Sequence, residues 1–417
     1  MSHPSFDQQI VDPKTYADDQ VSRALFAALR RDDPVHWVQA EGFDPFWAVT
    51  KHADVNEIEL KADIFINRPR GMIQSIADTE RIKAAQGGNR LLADTIVSMD
   101  GEDHKLYRGL TRDWFLPANV RRLEEQIRAI ARDYLDIMAA AGTSCDFVKD
   151  VAKWYPLRVI TMILGIPPAD EQRILELAQQ SFGFSDPDIA KVDAMKTRLG
   201  AMQQFFEYFG GVAEDRRKCP REDLASVIAN ATIRGEPIDR FKTLSYYVII
   251  ASAGHDTTSS SIAGGLLALI QNPEEMQKLR ANPNLMNMAI EEMFRWVTPV
   301  KHFFRTATRD YELRGKSIKA GEALMMCYPS ANFDEDVFES PTSFKVDRSP
   351  NRHLAFGTGA HHCLGQPLAR LEVKVFFEEL LERFNDFELA GKPSAVEASF
   401  VSGLKTLPIQ FRSYQPG

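Results

Sequence analysis

The residues that could do chemistry crowd into one run, Phe356-Gly357-Thr358-Gly359-Ala360-His361-His362-Cys363-Leu364-Gly365. Gly357 and Gly359 permit left-handed or tightly turned backbone that other residues resist. Behind Cys363, Leu371, Val375 and Leu380 recur at helical spacing, and Pro367 suits the first turn of that helix, where its missing N–H costs nothing. Cys363 is therefore expected on a rigid loop just ahead of a helix N-terminus. Orphan N–H groups and the positive end of the helix dipole favour a thiolate there. Such a thiolate can act as a nucleophile, bind zinc or serve as an axial haem ligand. Zinc wants three further ligands at workable spacing. His361 and His362 abut the cysteine too closely for easy shared coordination, and the sequence contains no Cys-x-x-Cys.

A second constellation interrupts a long helical pattern. Asp239 can cap a helix expected over 240–271, stopped by Asn272-Pro273. At ~1.5 Å per residue it would run on the order of 50 Å. Its apolar flanks, 246–251 and 262–270, enclose Ala253-Gly254-His255-Asp256-Thr257-Thr258-Ser259-Ser260-Ser261, a polar run where core is expected. Hydroxyls bonding back to carbonyls four residues earlier, beside a glycine, predict a local distortion. Two further pairs share helix faces: His104 with Arg108, and Glu292 with Arg295.

The elements that would hold these residues are mainly helical. Helices are expected over 21–30, 55–60, 120–138, 151–164, 169–182, 195–210 and 224–229, with strands at 34–38, 46–50 and 303–307 and a β-rich stretch over 399–411. Residues 67–89 carry Arg68, Pro69, Arg70, Gly71, Gly87 and Gly88 without a long periodic face, so an irregular excursion with a short helix is expected. No repeat or long linker divides the 417 residues, so one domain over 1–417 is the expectation, with 1–20 as an N-terminal extension. Hydrophobic residues at 44% supply a large core. A net charge of −8 argues against a nucleic-acid binder. The scattered Cys145, Cys219, Cys327 and Cys363 suit a reducing compartment. Residues 1–9 are polar and read as neither signal peptide nor membrane anchor, so a cytoplasmic location is expected.

Phe-Gly-x-Gly-x-His-x-Cys-x-Gly followed by Leu-Ala-Arg resembles the haem loop of the cytochrome P450 (haem-thiolate monooxygenase) family. Ala-Gly-x-Asp-Thr-Thr at 253–258 resembles its oxygen-activation motif, and the His104/Arg108 and Glu292/Arg295 pairs fall in matching order. The resemblance covers about 35–407 and is to soluble bacterial members such as the terpineol and camphor hydroxylases. It implies a mainly α fold with small β-sheets, a triangular-prism-like domain with haem b between a long central helix and the Cys-bearing loop. It implies Cys363 as the protein ligand to iron, with Phe356, Gly357, Gly365, Ala253 and Gly254 bordering the haem. His104, Arg108, Arg305 and His361 would hold the propionates, with His353 adding a contact. Asp256 and Thr257 would manage protons for dioxygen.

Glu292 and Arg295 would form a structural ion pair with Arg348 as third partner. Val97, Ile249, Ala253, Phe303, Phe400 and Val401 would line the pocket for a small hydrophobic substrate, such as a terpenoid or a compact aromatic or alicyclic hydrocarbon. A turn at Ser402-Gly403 would reach the same pocket. Electrons would come from NAD(P)H through a reductase and an iron–sulfur ferredoxin. That ferredoxin would dock on Lys105, Arg112, Arg352 and Lys374 of a monomeric enzyme. A peroxide-using peroxygenase, a haem isomerase and a haem-based sensor or carrier are the alternatives. The intact Asp256 and Thr257 and the lack of an output module speak against them.

Overall fold

The computed structural model describes residues 5–183, 185–190 and 193–413. Its largest sheet is built from Val35–Val38, Phe46–Val49, Phe65–Ile66, His302–Ala307 and Ala323–Cys327. The first two pair antiparallel with Trp37 opposite Trp47. Ala323–Cys327 lies parallel to Phe46–Val49 and antiparallel to His302–Ala307, and Phe65–Ile66 closes the far edge. Alternate residues of a strand face opposite ways. Phe304 therefore packs with Phe46 and Met325 in a core cluster, whereas its neighbours Phe303 and Arg305 face the cavity described below.

The N-terminal extension expected over 1–20 is helical from Phe6. Phe6–Val11 and Pro13–Ala17 are capped by Ser5 and Asp12, and Ile10, Val11 and Tyr16 are buried in the cluster that holds Leu25 and Phe26. Met1–Pro4 lie outside the described residues.

Helices form the rest of the body, around a core that includes Tyr155, Phe205, Phe209, Tyr247, Leu269 and Met293. Phe209 and Tyr247 stack at 5.1 Å. The helix expected over 240–271 is two helices, Arg240–Ala253 and Asp256–Gln271, with Gly254 and His255 at the break. The predicted back-bonding is present: Ser252 Oγ donates to Val248 O at 2.6 Å, Thr257 Oγ1 to Ala253 O at 2.8 Å and Ser261 Oγ to Thr257 O at 2.8 Å. The second half packs against Met286–Val297. A side chain at Gly264 would run into Val297 there, so glycine lets the two helices close.

Other boundaries moved for physical reasons. The helix expected to end at Gly210 runs Ala194–Lys218, because Phe205, Phe209, Ala213 and Arg216 continue the buried stripe. The helix expected from 120 starts as the short Pro117–Val120 turn and begins in earnest at Glu124, running to Ala140. A wider turn, Val148–Ala152, precedes Trp154–Leu164. No helix among the described residues is long and apolar enough to cross a membrane.

Candidate active site

The Cys363 loop takes its shape from its glycines. Gly357 and Gly359 have φ of 64° and 65°, in the left-handed region where a Cβ is strained. A Cβ at Gly359 would also run into the Glu59 carbonyl. The Cys363 N–H donates to Phe356 O at 2.9 Å and closes the loop. The helix Gln366–Arg383 follows, with proline in its first turn as expected.

Cys363 borders a cavity of about 420 Å³. Enclosure in protein pushes its thiol up, while the N–H groups of Gly365 and Gln366 and the nearby Arg108 pull the other way. Burial wins, so the helix-end effect read from the sequence does not by itself make the thiolate. A coordinated metal ion would complete it. Among the described residues, no group of three or more His, Cys, Asp and Glu side chains comes together as a metal site would need.

At one end of this cavity, cations and imidazoles converge. Arg108 and Arg305 both line it, and Arg108 donates to His362 O, which ties the Gly101–Arg112 helix to the loop. His361 also lines it and stacks on His104, ring centroids 3.9 Å apart. Burial, then Arg305, His104 and Arg108, hold His361 down to about 2, so its ring is neutral. His104 is buried, and its Nε2 has no hydrogen-bond partner among the described residues. Asn67 Nδ2 lies 2.7 Å from His361 Nε2 and 2.9 Å from Asp100 Oδ1.

His353, expected at the propionates, is held elsewhere. Its Nε2 lies 3.0 Å from Glu291 Oε2, and Glu291 also takes a bidentate pair of bonds from Arg370 at 2.6 and 2.8 Å. Against the upward push of burial, Arg370 and His353 bring Glu291 down to about 2. The Arg370 guanidinium lies over the Phe356 ring at 4.6 Å, so this cluster braces the loop from behind.

Sequence reasoning missed Glu59 and Tyr328. Glu59 is buried, and its carboxylate accepts from Arg305 Nη2 at 3.2 Å, from Tyr328 OH and from the Thr358 N–H at 2.9 Å. One carboxylate thus fixes both Arg305 and the loop. Burial pushes it up, while Arg305, Tyr328 and Thr358 oppose that push. Its signal was a carboxylate on the buried stripe Val55–Ile58–Glu59, at i, i+3 and i+4.

The helix break supplies Ala253, Gly254, Asp256 and Thr257 to the same cavity. Because the Thr257 hydroxyl donates to Ala253 O, it offers its oxygen lone pairs, not its hydrogen, to a guest in the cavity. Glu372 also reaches the cavity; it is 1% exposed, and burial pushes its carboxyl well up. Val97, Ile249, Phe303, Phe400 and Val401 line the wall with Ala253, and Phe303 and Phe400 meet edge-on at 5.3 Å. The wall is less uniformly apolar than expected, since the buried Arg198 also reaches it.

Glu292 and Arg295 pair with both nitrogen–oxygen distances at 2.7 Å, and Arg348 joins at 2.9 Å. The triad lies outside the cavity wall, behind the loop.

These residues fit haem. A single sulfur sits on a rigid loop, a cationic end can take two carboxylates, His104 keeps an unpaired buried nitrogen, and Leu364, Leu368 and Ala369 supply apolar wall. Comparison with known proteins agrees. The family model for cytochrome P450 matches residues 82–411. The chain is 43% identical to cytochrome P450-terp of a Pseudomonas species, covering 96% of each chain. It is 34% identical to a steroid C26-monooxygenase of Mycolicibacterium smegmatis, covering 92% of this chain and 89% of the relative. The crystal structure of CYP108D1 from Novosphingobium aromaticivorans superposes with a TM-score of 0.92 at 42% identity, covering 98% of both chains. The chain therefore belongs to the cytochrome P450 family and is a haem b monooxygenase that acts on a substrate and dioxygen with electrons from a redox partner.

Proposed function

We propose that this enzyme hydroxylates a small, largely hydrocarbon substrate of terpenoid or compact ring type, with electrons passed from NAD(P)H through an iron–sulfur ferredoxin. The observation that carries the reading is one cavity bordered by Cys363, by Asp256 and Thr257, and by the six mainly apolar residues from Val97 to Val401. The relative named P450-terp supports a terpenoid. Haem, when bound, supplies the reductive activation of dioxygen.

The chain's own residues do the rest. Cys363 would hold the iron, and Arg108, Arg305 and His361 would take the propionates by charge-assisted hydrogen bonds. Glu59 and Tyr328 keep Arg305 in place. With its hydrogen committed to Ala253 O, Thr257 Oγ1 would accept a hydrogen bond from the group or water that brings a proton to dioxygen, and so would keep that donor in place. Asp256, 24% exposed, links that place to solvent. Phe303, Phe400 and Val401 position the substrate and exclude water.

Removal of Thr257 and of the Asp256 charge should fail differently. In Thr257→Ala, NADH should still be consumed while hydrogen peroxide replaces much of the hydroxylated product. In Asp256→Asn, turnover should slow by roughly 10²-fold, the low end for an acid–base group, with the yield per NADH much less affected. Substrate binding, titrated by the haem spin-state change, should barely move in either. Unchanged product per NADH in Thr257→Ala would reduce the motif to a helix kink.

Docking of an acidic ferredoxin is supported by exposed Lys105, Arg112 and Arg352, with Lys374 on the helix behind Cys363. That helix touches the 113–115 turn next to Arg112. Arg112 lies 3.6 Å from Asp113 with both side chains mostly exposed, a pairing worth little to the fold. Arg112→Glu should slow electron transfer at low salt and flatten its salt dependence, because exposed charges are screened over ~8 Å at physiological ionic strength. A transfer rate equal to wild type at low salt would remove Arg112 from the interface.

A further inference from the structure

His255 sits in the break between the Arg240–Ala253 and Asp256–Gln271 helices and is 1% exposed. Its Nε2 lies 2.7 Å from the Lys153 carbonyl oxygen. A carbonyl oxygen only accepts, so Nε2 carries a hydrogen, and a neutral ring then has its lone pair on Nδ1. Nδ1 is buried with no aligned hydrogen bond among the described residues, and it lies 2.9 Å from Asp256 Oδ1. Lone pairs on both atoms would repel at that distance. One proton between them, with a small turn of the carboxyl group, makes a charge-assisted hydrogen bond instead.

We propose that His255 and Asp256 hold one shared proton beside the cavity, with His255 a positioning residue that keeps this proton available for Asp256 to deliver. The inference rests on the proton-delivery reading of Asp256 and Thr257 and names where the proton waits. The proton passes from the Asp256 carboxyl to reduced dioxygen in the cavity, leaving the ring in its neutral Nε2–H form and Asp256 ionised. A solvent proton entering at the exposed edge of Asp256 restores the pair. No electron moves in either transfer.

The anchor for the ring is the junction of the Val148–Ala152 turn with the Trp154–Leu164 helix, both packed on the Asp256–Gln271 helix. The charges on this side are Lys153, which burial lowers and whose ammonium lies 4.9 Å from the Trp154 ring, and then Asp150, Lys149 and Asp146 around it. Arg158 on the following helix is taken by Glu171 at 2.8 Å. Gln366–Arg383, also packed on this helix, presents Glu372, whose carboxyl burial pushes well up.

The test combines a static and a kinetic readout on the haem-loaded enzyme. Nitrogen-15 NMR of histidine-labelled protein in the diamagnetic reduced carbonyl complex reports the protonation of each ring, with His255 assigned by its loss in His255→Gln. Infrared spectroscopy of the same complex reports a protonated carboxyl, assigned by its loss in Asp256→Asn. The proposal expects, at neutral pH, either a doubly protonated His255 ring or a protonated Asp256. In His255→Gln, whose amide can still donate to the Lys153 carbonyl, turnover should fall on the order of tenfold, less than for a full acid–base group. It should fall further as pH rises, with yield per NADH kept. A neutral Nε2–H ring beside an ionised Asp256 would overturn the shared proton, and wild-type turnover with an unchanged pH profile in His255→Gln would overturn its use. Should His255→Gln not fold, His255→Asn supplies both the assignment of the ring and the turnover comparison. Failure of the underlying reading looks different: Thr257→Ala would keep its yield per NADH while the spectra still reported the proton.

Discussion

Glu292→Ala should destabilise the protein by about 3–5 kcal/mol, the cost of removing one partner from a buried ion pair. Glu292 and Arg295 are both 0% exposed and Arg348 is 7% exposed. The carboxylate accepts from Arg295 Nε and Nη2, from Arg348 Nε, from the Lys345 N–H at 3.1 Å and from Asn351 Nδ2 at 3.2 Å. Arg295 Nη1 donates onward to Asn332 O at 2.9 Å and Pro341 O at 3.0 Å. Alanine would leave two buried guanidinium groups facing each other without the anion between them. Stability of ordinary domains is ~5–15 kcal/mol, so this loss threatens folding itself. Glu292→Gln keeps an acceptor oxygen and should cost less than alanine. Denaturant unfolding of both variants, compared at equal m-value, measures the difference. An alanine variant within about 1 kcal/mol of wild type would mean that the triad is not what holds the 332–348 segment behind the loop.

Features carried by local chemistry were legible in the sequence, and those made by long-range convergence were not. The Cys363 loop could be read because its glycines, its cysteine and the proline of the next helix act within a dozen residues. Glu292, Arg295 and Arg348 were legible as a set through the family pattern. Glu59 was not, since Arg305, Tyr328 and Thr358 reach it from 246, 269 and 299 residues away. His353 was misplaced for the same reason: only the fold brings Glu291 and Arg370 to it. His255 stood at a position the Ala-Gly-x-Asp pattern leaves free, and its meaning came from a backbone carbonyl 102 residues earlier. The long helix is apolar on both sides of Gly254, so the hydroxyl run beside that glycine announced a distortion without showing a complete break. The helix expected to end at Gly210 runs on to Lys218, because Phe209, Ala213 and Arg216 keep burying the same face.

Cys363→His should keep some haem and lose the spectroscopic mark of thiolate ligation almost entirely. The cradle does not depend on the sulfur: Arg108, Arg305 and His361 remain at the cationic end of the cavity, and Glu59 still fixes Arg305 and Thr358. An imidazole at position 363 can bind iron, but as a neutral ligand it does not push charge onto the metal as a thiolate does. Oxygen-dependent turnover should fall below detection while folding persists.

The most direct test is the absorption spectrum of the dithionite-reduced carbonyl complex, recorded for wild type and Cys363→His at equal haem content. A strongly red-shifted Soret band in the wild type, absent from the variant, is the result predicted by an iron held by the Cys363 thiolate. A wild type without the shifted band, or a variant that keeps it, would contradict that assignment.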